Sequence, residues 1–141
     1  MKINFPSIPL AVGALTIALA GAVIGMAPAN AETGVFVTTQ SGATTCNLLS
    51  NQVACEHASG FWQTAGRYGM AVVGQDGTFQ WIDGDIGTCE PDCGGGPTVL
   101  TYGTEYHIKG WTIEPSSDGT SFTNDRSGRG MFVSIQNVDS F

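Results

Sequence analysis

The sequence predicts an all-β fold, a small antiparallel β-sandwich or barrel of about seven to nine short strands, behind an N-terminal helical export signal. Three observations point that way. Beyond residue 31, Ile, Val, Thr and aromatic residues cluster in short runs separated by Gly, Asn, Asp or Pro, which is the pattern of strands and turns. No window there sustains a 3.6-residue period. Most of the 20 glycines also lie there, and glycine weakens a helix interior.

The N-terminus has the parts of a secretory signal peptide. Lys2 is the only charge before Glu32, an apolar run extends from Ile8 to Ala27, and Pro28-Ala29-Asn30-Ala31 offers a helix breaker and small residues for a peptidase. About 20 apolar residues can also span a bilayer, so an uncleaved anchor is the rival reading. The small-residue site favours cleavage, with Glu32 as the mature N-terminus. The first cysteine, Cys46, is too distant to be a lipidated residue, and there is no twin-arginine pair. The expected organisation is a signal peptide over 1–31 and one secreted β domain over 32–141.

Charge narrows the function. The chain holds 12 acidic against 5 basic residues, and one of the basic residues is Lys2 in the signal. So acidic a domain repels nucleic-acid phosphates and, once the signal is removed, anionic membrane surfaces. The acids are scattered, which fits solubility.

Four cysteines in an exported chain imply disulfides before metal. A two-residue turn at Ser50-Asn51 places Cys46 directly opposite Cys55, at a non-hydrogen-bonded pair where Cα atoms come within about 4.5 Å. Cys89 and Cys93, in Cys-Glu-Pro-Asp-Cys, are left to close a tight loop. As a zinc set the four lack a second close pair and a histidine partner.

The strands follow in order. Val35-Phe36-Val37 opens, and the Cys46/Cys55 hairpin comes next. Arg67 to Val73 and Thr78 to Ile82 flank Gln75-Asp76-Gly77, a strong hairpin signal. Gly94-Gly95-Gly96 reads as a surface loop, since no helix follows to make it a phosphate cradle. Thr98 to Tyr102 is a strand, and Glu105 to Glu114 another. The second strand turns at Asp118-Gly119 towards Phe122-Thr123, and Gly130 to Ile135 closes the sheet. Thr120 is expected on the surface.

Few residues suggest chemistry. His57 ends a hairpin strand, while His107 alternates with Tyr106 and Ile108 and so faces the other way, as a solvated strand residue does. Serines and aspartates are plentiful but no Gly-x-Ser-x-Gly is present. Asp83 and Asp85, in Trp-Ile-Asp-Gly-Asp-Ile-Gly, are weak calcium candidates because carboxylates two apart in a turn can converge. They lack the other ligands of an EF-hand, and a capped turn explains them equally. Trp62, Trp81 and Trp111 suggest stacking on sugars or peptides, but in a domain this small large aromatics are needed for the core.

Several segments together resemble small exported proteins of mycobacteria and related actinobacteria. The matching residues are Phe36, Ser41-Gly42 with Cys46, and Val53-Ala54-Cys55-Glu56. Further on they are Val99-Leu100-Thr101-Tyr102-Gly103, Asp118-Gly119 with Thr123-Asn124, Ser127-Gly128-Arg129-Gly130-Met131-Phe132 and the terminal Phe141. Members of that group carry a further cysteine pair where this chain has Ile113 and Phe122. The resemblance therefore implies a crosslink exchanged for packing, with these two residues facing inward and touching. It implies no activity, cofactor or catalytic residue.

The functional expectation is a secreted, non-catalytic binding domain that meets an unidentified protein or envelope partner, without a cofactor. The alternatives are an extracellular hydrolase working through Asp83/Asp85 or His107, and an inhibitor of such an enzyme presenting the Cys89–Cys93 loop.

Overall fold

A computed structural model describes residues 32–87 and 96–141, all within the compact unit Glu32–Phe141. Eleven strands follow in order: β1 (Val35–Thr39), β2 (Thr44–Leu48), β3 (Gln52–Trp62), β4 (Arg67–Gly74), β5 (Phe79–Ile82), β6 (Thr98–Leu100), β7 (Tyr106–Ile108), β8 (Trp111–Pro115), β9 (Thr120–Asn124), β10 (Gly130–Val133) and β11 (Val138–Ser140). They form two sheets. The first has six strands in the order β5-β4-β3-β2-β1-β6, and the second has five, β11-β10-β9-β8-β7.

Alternation along the strands packs the two sheets face to face. Inward positions such as Leu48, Trp62 and Val73 of the first sheet and Trp111, Phe122 and Met131 of the second are buried in one hydrophobic cluster. The molecule is thus a small β-sandwich, each sheet apolar inside and more polar outside. Trp62 and Trp111 are fully buried, and Trp81 packs against the same cluster. Their indole nitrogens are not wasted: Trp62 Nε1 donates to the Gly69 carbonyl at 3.1 Å and Trp111 Nε1 to the Leu49 carbonyl at 2.9 Å.

The Ser50-Asn51 turn sets the expected register. The Leu49 amide donates to the Gln52 carbonyl, and Cys46 pairs with Cys55 across β2 and β3. Their Cα atoms lie 4.1 Å apart and the two are joined by a disulfide. Cys89 and Cys93, together with Gly94-Gly95, lie outside the described residues. Ile113 and Phe122 stand opposite each other on β8 and β9, both fully buried.

Three features depart from expectation. First, β6 pairs parallel with β1, although every other pair is antiparallel. It follows β5 in the chain but lies at the opposite edge of the sheet, so no tight turn dictates its direction. Second, Glu105 to Glu114 is a hairpin and not one strand. Lys109 and Gly110 have φ of 51° and 81°, and positive φ at both central residues is the geometry of a type I′ turn, whose twist matches the flanking strands. Lysine is not a residue that announces such a turn. Third, β11 adds an edge strand from a polar stretch without strand patterning. Its end is held by paired backbone hydrogen bonds between Gly130 and Phe141. Gly130 has a steric role as well, because a Cβ there would meet the Phe122 carbonyl.

Thr120 also differs from its expected surface position. It opens β9 on the inward face, opposite Pro115 and Val133, and is 1% exposed. The turn before it is short, so the first strand residue is already between the sheets.

Candidate functional site

The turns gather at the two ends of the sandwich, and each end carries a cleft. At one end the β1–β2, β6–β7, β8–β9 and β10–β11 connections converge around a cleft of about 330 Å³. Its walls are rich in hydroxyls. Many of them are engaged locally, and this is what shapes the loops. Thr39 Oγ1 accepts from the Thr44 amide at 3.2 Å and lies within hydrogen-bond distance of Ser41 Oγ. Ser116 Oγ donates to the Gly119 carbonyl at 2.8 Å, closing the β8–β9 turn, and Ser134 Oγ donates to the Asn137 carbonyl. Tyr102 is placed by its own backbone: its amide donates to Gln40 Oε1, tying β6–β7 to β1–β2 across the cleft mouth at 3.0 Å. One residue back, the Thr101 amide donates to the Tyr106 phenol at 2.9 Å, and Thr101 holds that phenol below its ordinary pKa by hydrogen bonding to it.

Other polar groups in this cleft are unspent. The side chains of Ser117, Asp118, Gln136 and Tyr102 have no hydrogen-bond partner among the described residues. Beneath them the buried Thr120 hydroxyl has none either. Buried polar groups are paired as a rule, and an exception asks for an explanation. Ile135, half exposed at the rim, and the half-buried Tyr102 ring add apolar surface. Asp118 is the only charged residue of the lining, and it forms no ion pair among the described residues.

At the other end the β2–β3, β4–β5, β7–β8 and β9–β10 turns surround a cleft of about 350 Å³. It contains Lys109, Asp125 and Arg126, of which Lys109 forms an ion pair within the chain. Lys109 Nζ lies 2.8 Å from Glu32 Oε1, and the Ser50 amide and hydroxyl also donate to that carboxylate. These bonds hold Glu32 at a pKa of about 2, well below its ordinary 4.5. Asn124 Oδ1 accepts from the Arg126 and Ser127 amides, capping the β9–β10 turn.

The sequence-derived candidates are scattered over the surface. His107 is exposed on the outer face of the second sheet, between Tyr106 and Ile108 that turn inward as alternation required. Its Nε2 lies 2.7 Å from Glu105 Oε1 and its Nδ1 3.2 Å from Thr112 Oγ1. The Thr112 hydroxyl donates in turn to Asp125. His57 lies inside β3, at an irregularity where the pairing with β4 shifts between Glu56 and Phe61. Its Nδ1 accepts from the Ser59 amide and lies 2.7 Å from Ser59 Oγ. The imidazole thereby closes its own loop. Each histidine thus meets a hydroxyl, yet neither lines either cleft, and a hydrolase needs such a pair beside a concave substrate site.

Asp83 and Asp85 are exposed after β5. Asp85 Oδ1 accepts from the Gly87 amide at 2.9 Å, so it caps its own turn. No group of three or more His, Cys, Asp or Glu residues suited to a metal ion occurs among the described residues. The same residues contain no helix long and apolar enough to cross a membrane. The Cys89–Cys93 loop, the inhibitor candidate, lies outside the described residues.

Sequence reasoning missed the hydroxyl-lined cleft. Ser116-Ser117-Asp118-Gly119 reads in one dimension only as a turn, and nothing in it says that Tyr102 and Gln136 lie across from it. Fold and clefts together define a small disulfide-bearing β-sandwich with loop-built polar clefts at its ends. No family model, no curated protein and no solved structure matches the chain.

Proposed function

We propose that the protein is an exported, non-catalytic binding domain that acts at the cell envelope or outside the cell, and that the cleft around Thr120 is its binding site. One observation carries the reading: the side chains of Ser117, Asp118, Gln136 and Tyr102 converge in this cleft without a hydrogen-bond partner among the described residues, whereas both imidazoles lie outside it. A catalytic site would bring a base and a nucleophile into the concavity; a binding site needs only donors, acceptors and some apolar surface. Export rests on the signal-like residues 1–31 and agrees with the Cys46–Cys55 disulfide, since such crosslinks persist in oxidising compartments. The resemblance to small exported actinobacterial proteins points in the same direction.

The exported form is expected to begin at Glu32 on N-terminal sequencing. Retention in the membrane with residues 1–31 attached would overturn export by a cleaved signal. For the site, the exported protein is incubated with envelope from the producing cells and probed by hydroxyl-radical footprinting. Protection is expected at Tyr102 and Ile135 and not at His57 or His107. Protection confined to either histidine, or none anywhere, overturns the cleft as the binding site.

A further inference from the structure

We infer that His57 is an acid-triggered latch, whose neutral ring closes the irregular stretch of β3 and whose protonation releases it. The latch is independent of what the Thr120 cleft binds. Between Glu56 and Phe61 the register of β3 against β4 shifts, so residues 57–60 lack the ladder that holds the rest of the strand to β4. Side-chain bonds take over there. The Ser59 amide donates to His57 Nδ1 at 3.0 Å, and Ser59 Oγ lies 2.7 Å from the same nitrogen.

A backbone N–H can only donate, so Nδ1 must offer its lone pair, and the proton of the neutral ring is on Nε2. An imidazolium carries a proton on both nitrogens. On protonation Ser59 Oγ can turn from donor to acceptor, but the Ser59 N–H is left facing another N–H. The amide bond therefore belongs to the neutral ring alone. It is present above the titration of the ring and lost as pH falls through it.

The charged groups around the ring are engaged elsewhere. The Glu56 carboxylate accepts from the Ile86 amide, and Arg67 of β4 lies over the Trp81 ring. Asp83 and Asp85 after β5, and Asp118 in the cleft, form no ion pair with His57, and its partner on β2 is the uncharged Thr44. Its ring neighbour is the buried Trp62, at a centroid distance of 5.7 Å and an interplanar angle of 70°. An indole accommodates a cation as well as a neutral ring, so His57 can take a proton where it stands and the loss falls on Ser59. Release reaches further than this turn. The adjoining Ala58 amide donates to the Ala43 carbonyl at 2.8 Å, in the β1–β2 turn whose Ser41 lines the Thr120 cleft.

The test is NMR on the isotope-labelled exported protein between about pH 8 and about pH 5, the span in which imidazoles change charge. At the upper end the ring is expected as the Nε2–H tautomer, with a coupling across the hydrogen bond between Ser59 ¹⁵N and His57 ¹⁵Nδ1. In acid that coupling is expected to vanish, and the Ser59, Ala58 and Thr44 amides to shift with the midpoint of the His57 ring. Protection of the Ala58 amide against exchange, corrected for its intrinsic pH dependence, should fall about fivefold, as on weakening one hydrogen bond. His57→Asn puts a carbonyl oxygen where Nδ1 was and keeps an acceptor for the Ser59 amide at every pH, so it should abolish these changes. His107→Asn, on the other sheet beside Glu105, should leave them intact. An Nδ1–H tautomer at the upper end, a Ser59 amide that does not follow the His57 ring, or shifts that persist in folded His57→Asn overturns the latch. Constant Ala58 protection while Ser59 moves also overturns it. Tautomer and coupling are read on the unaltered protein, so they decide the matter even if His57→Asn does not fold. No ligand enters these measurements, and the cleft as binding site stands or falls separately.

Discussion

Ile113 on β8 and Phe122 on β9 are directly opposed across the second sheet, and both are completely buried. The flanking pairs Thr112/Thr123 and Glu114/Ser121 lie on the opposite face, so this aliphatic–aromatic pair, with Trp111 two residues away, carries the hairpin into the core. Truncating Phe122→Ala leaves a cavity the surrounding strands cannot close, and is expected to cost about 3–5 kcal/mol. Ser140→Ala, on exposed β11, should change stability by no more than about 0.5 kcal/mol. A denaturant melt of each variant with disulfides intact measures both. An unchanged midpoint for Phe122→Ala would place that side chain outside the core.

The disulfide gives a second expectation. Cys46 and Cys55 sit nine residues apart in sequence and are crosslinked at a register already set by the turn. The crosslink therefore acts mainly by restricting the unfolded chain, and replacing both cysteines with alanine should cost about 2–3 kcal/mol. Non-reducing peptide mapping should recover the Cys46–Cys55 peptide. A Cys46 linkage to Cys89 or Cys93 would contradict the hairpin register.

Glu32 supplies a pH dependence. The Lys109 ammonium first, then the Ser50 hydroxyl and amide, lower its folded pKa from 4.5 to about 2. A depressed carboxylate favours the folded state above its unfolded pKa. That contribution is present above about pH 4.5 and disappears as pH falls towards 2. The carboxyl ¹³C shift of Glu32 should titrate near 2, and Lys109→Met should move the midpoint upward. A midpoint at the ordinary value in the unaltered protein would show that the pair does not form in solution.

Thr120 is expected to be destabilising in the unliganded domain. A buried hydroxyl without a partner costs about 1–3 kcal/mol. Thr120→Val should therefore raise the denaturation midpoint. A lower midpoint would mean that the hydroxyl has a partner inside the protein.

The local order of this fold can be read along the chain. Alternation put Tyr106 and Ile108 inward with His107 outward, Ser50-Asn51 set the cysteine register, and Asp76-Gly77 marked the β4–β5 hairpin. Each of these is decided within a few residues by side-chain period or turn chemistry. The parallel placement of β6 beside β1, the burial of Thr120 and the meeting of Tyr102, Ser117 and Gln136 were left to the tertiary structure. They depend on which loops the two sheets bring to the same end, and packing between sheets joins residues far apart in the chain. No local pattern carries that information, which is why the core was legible along the chain and the cleft was not.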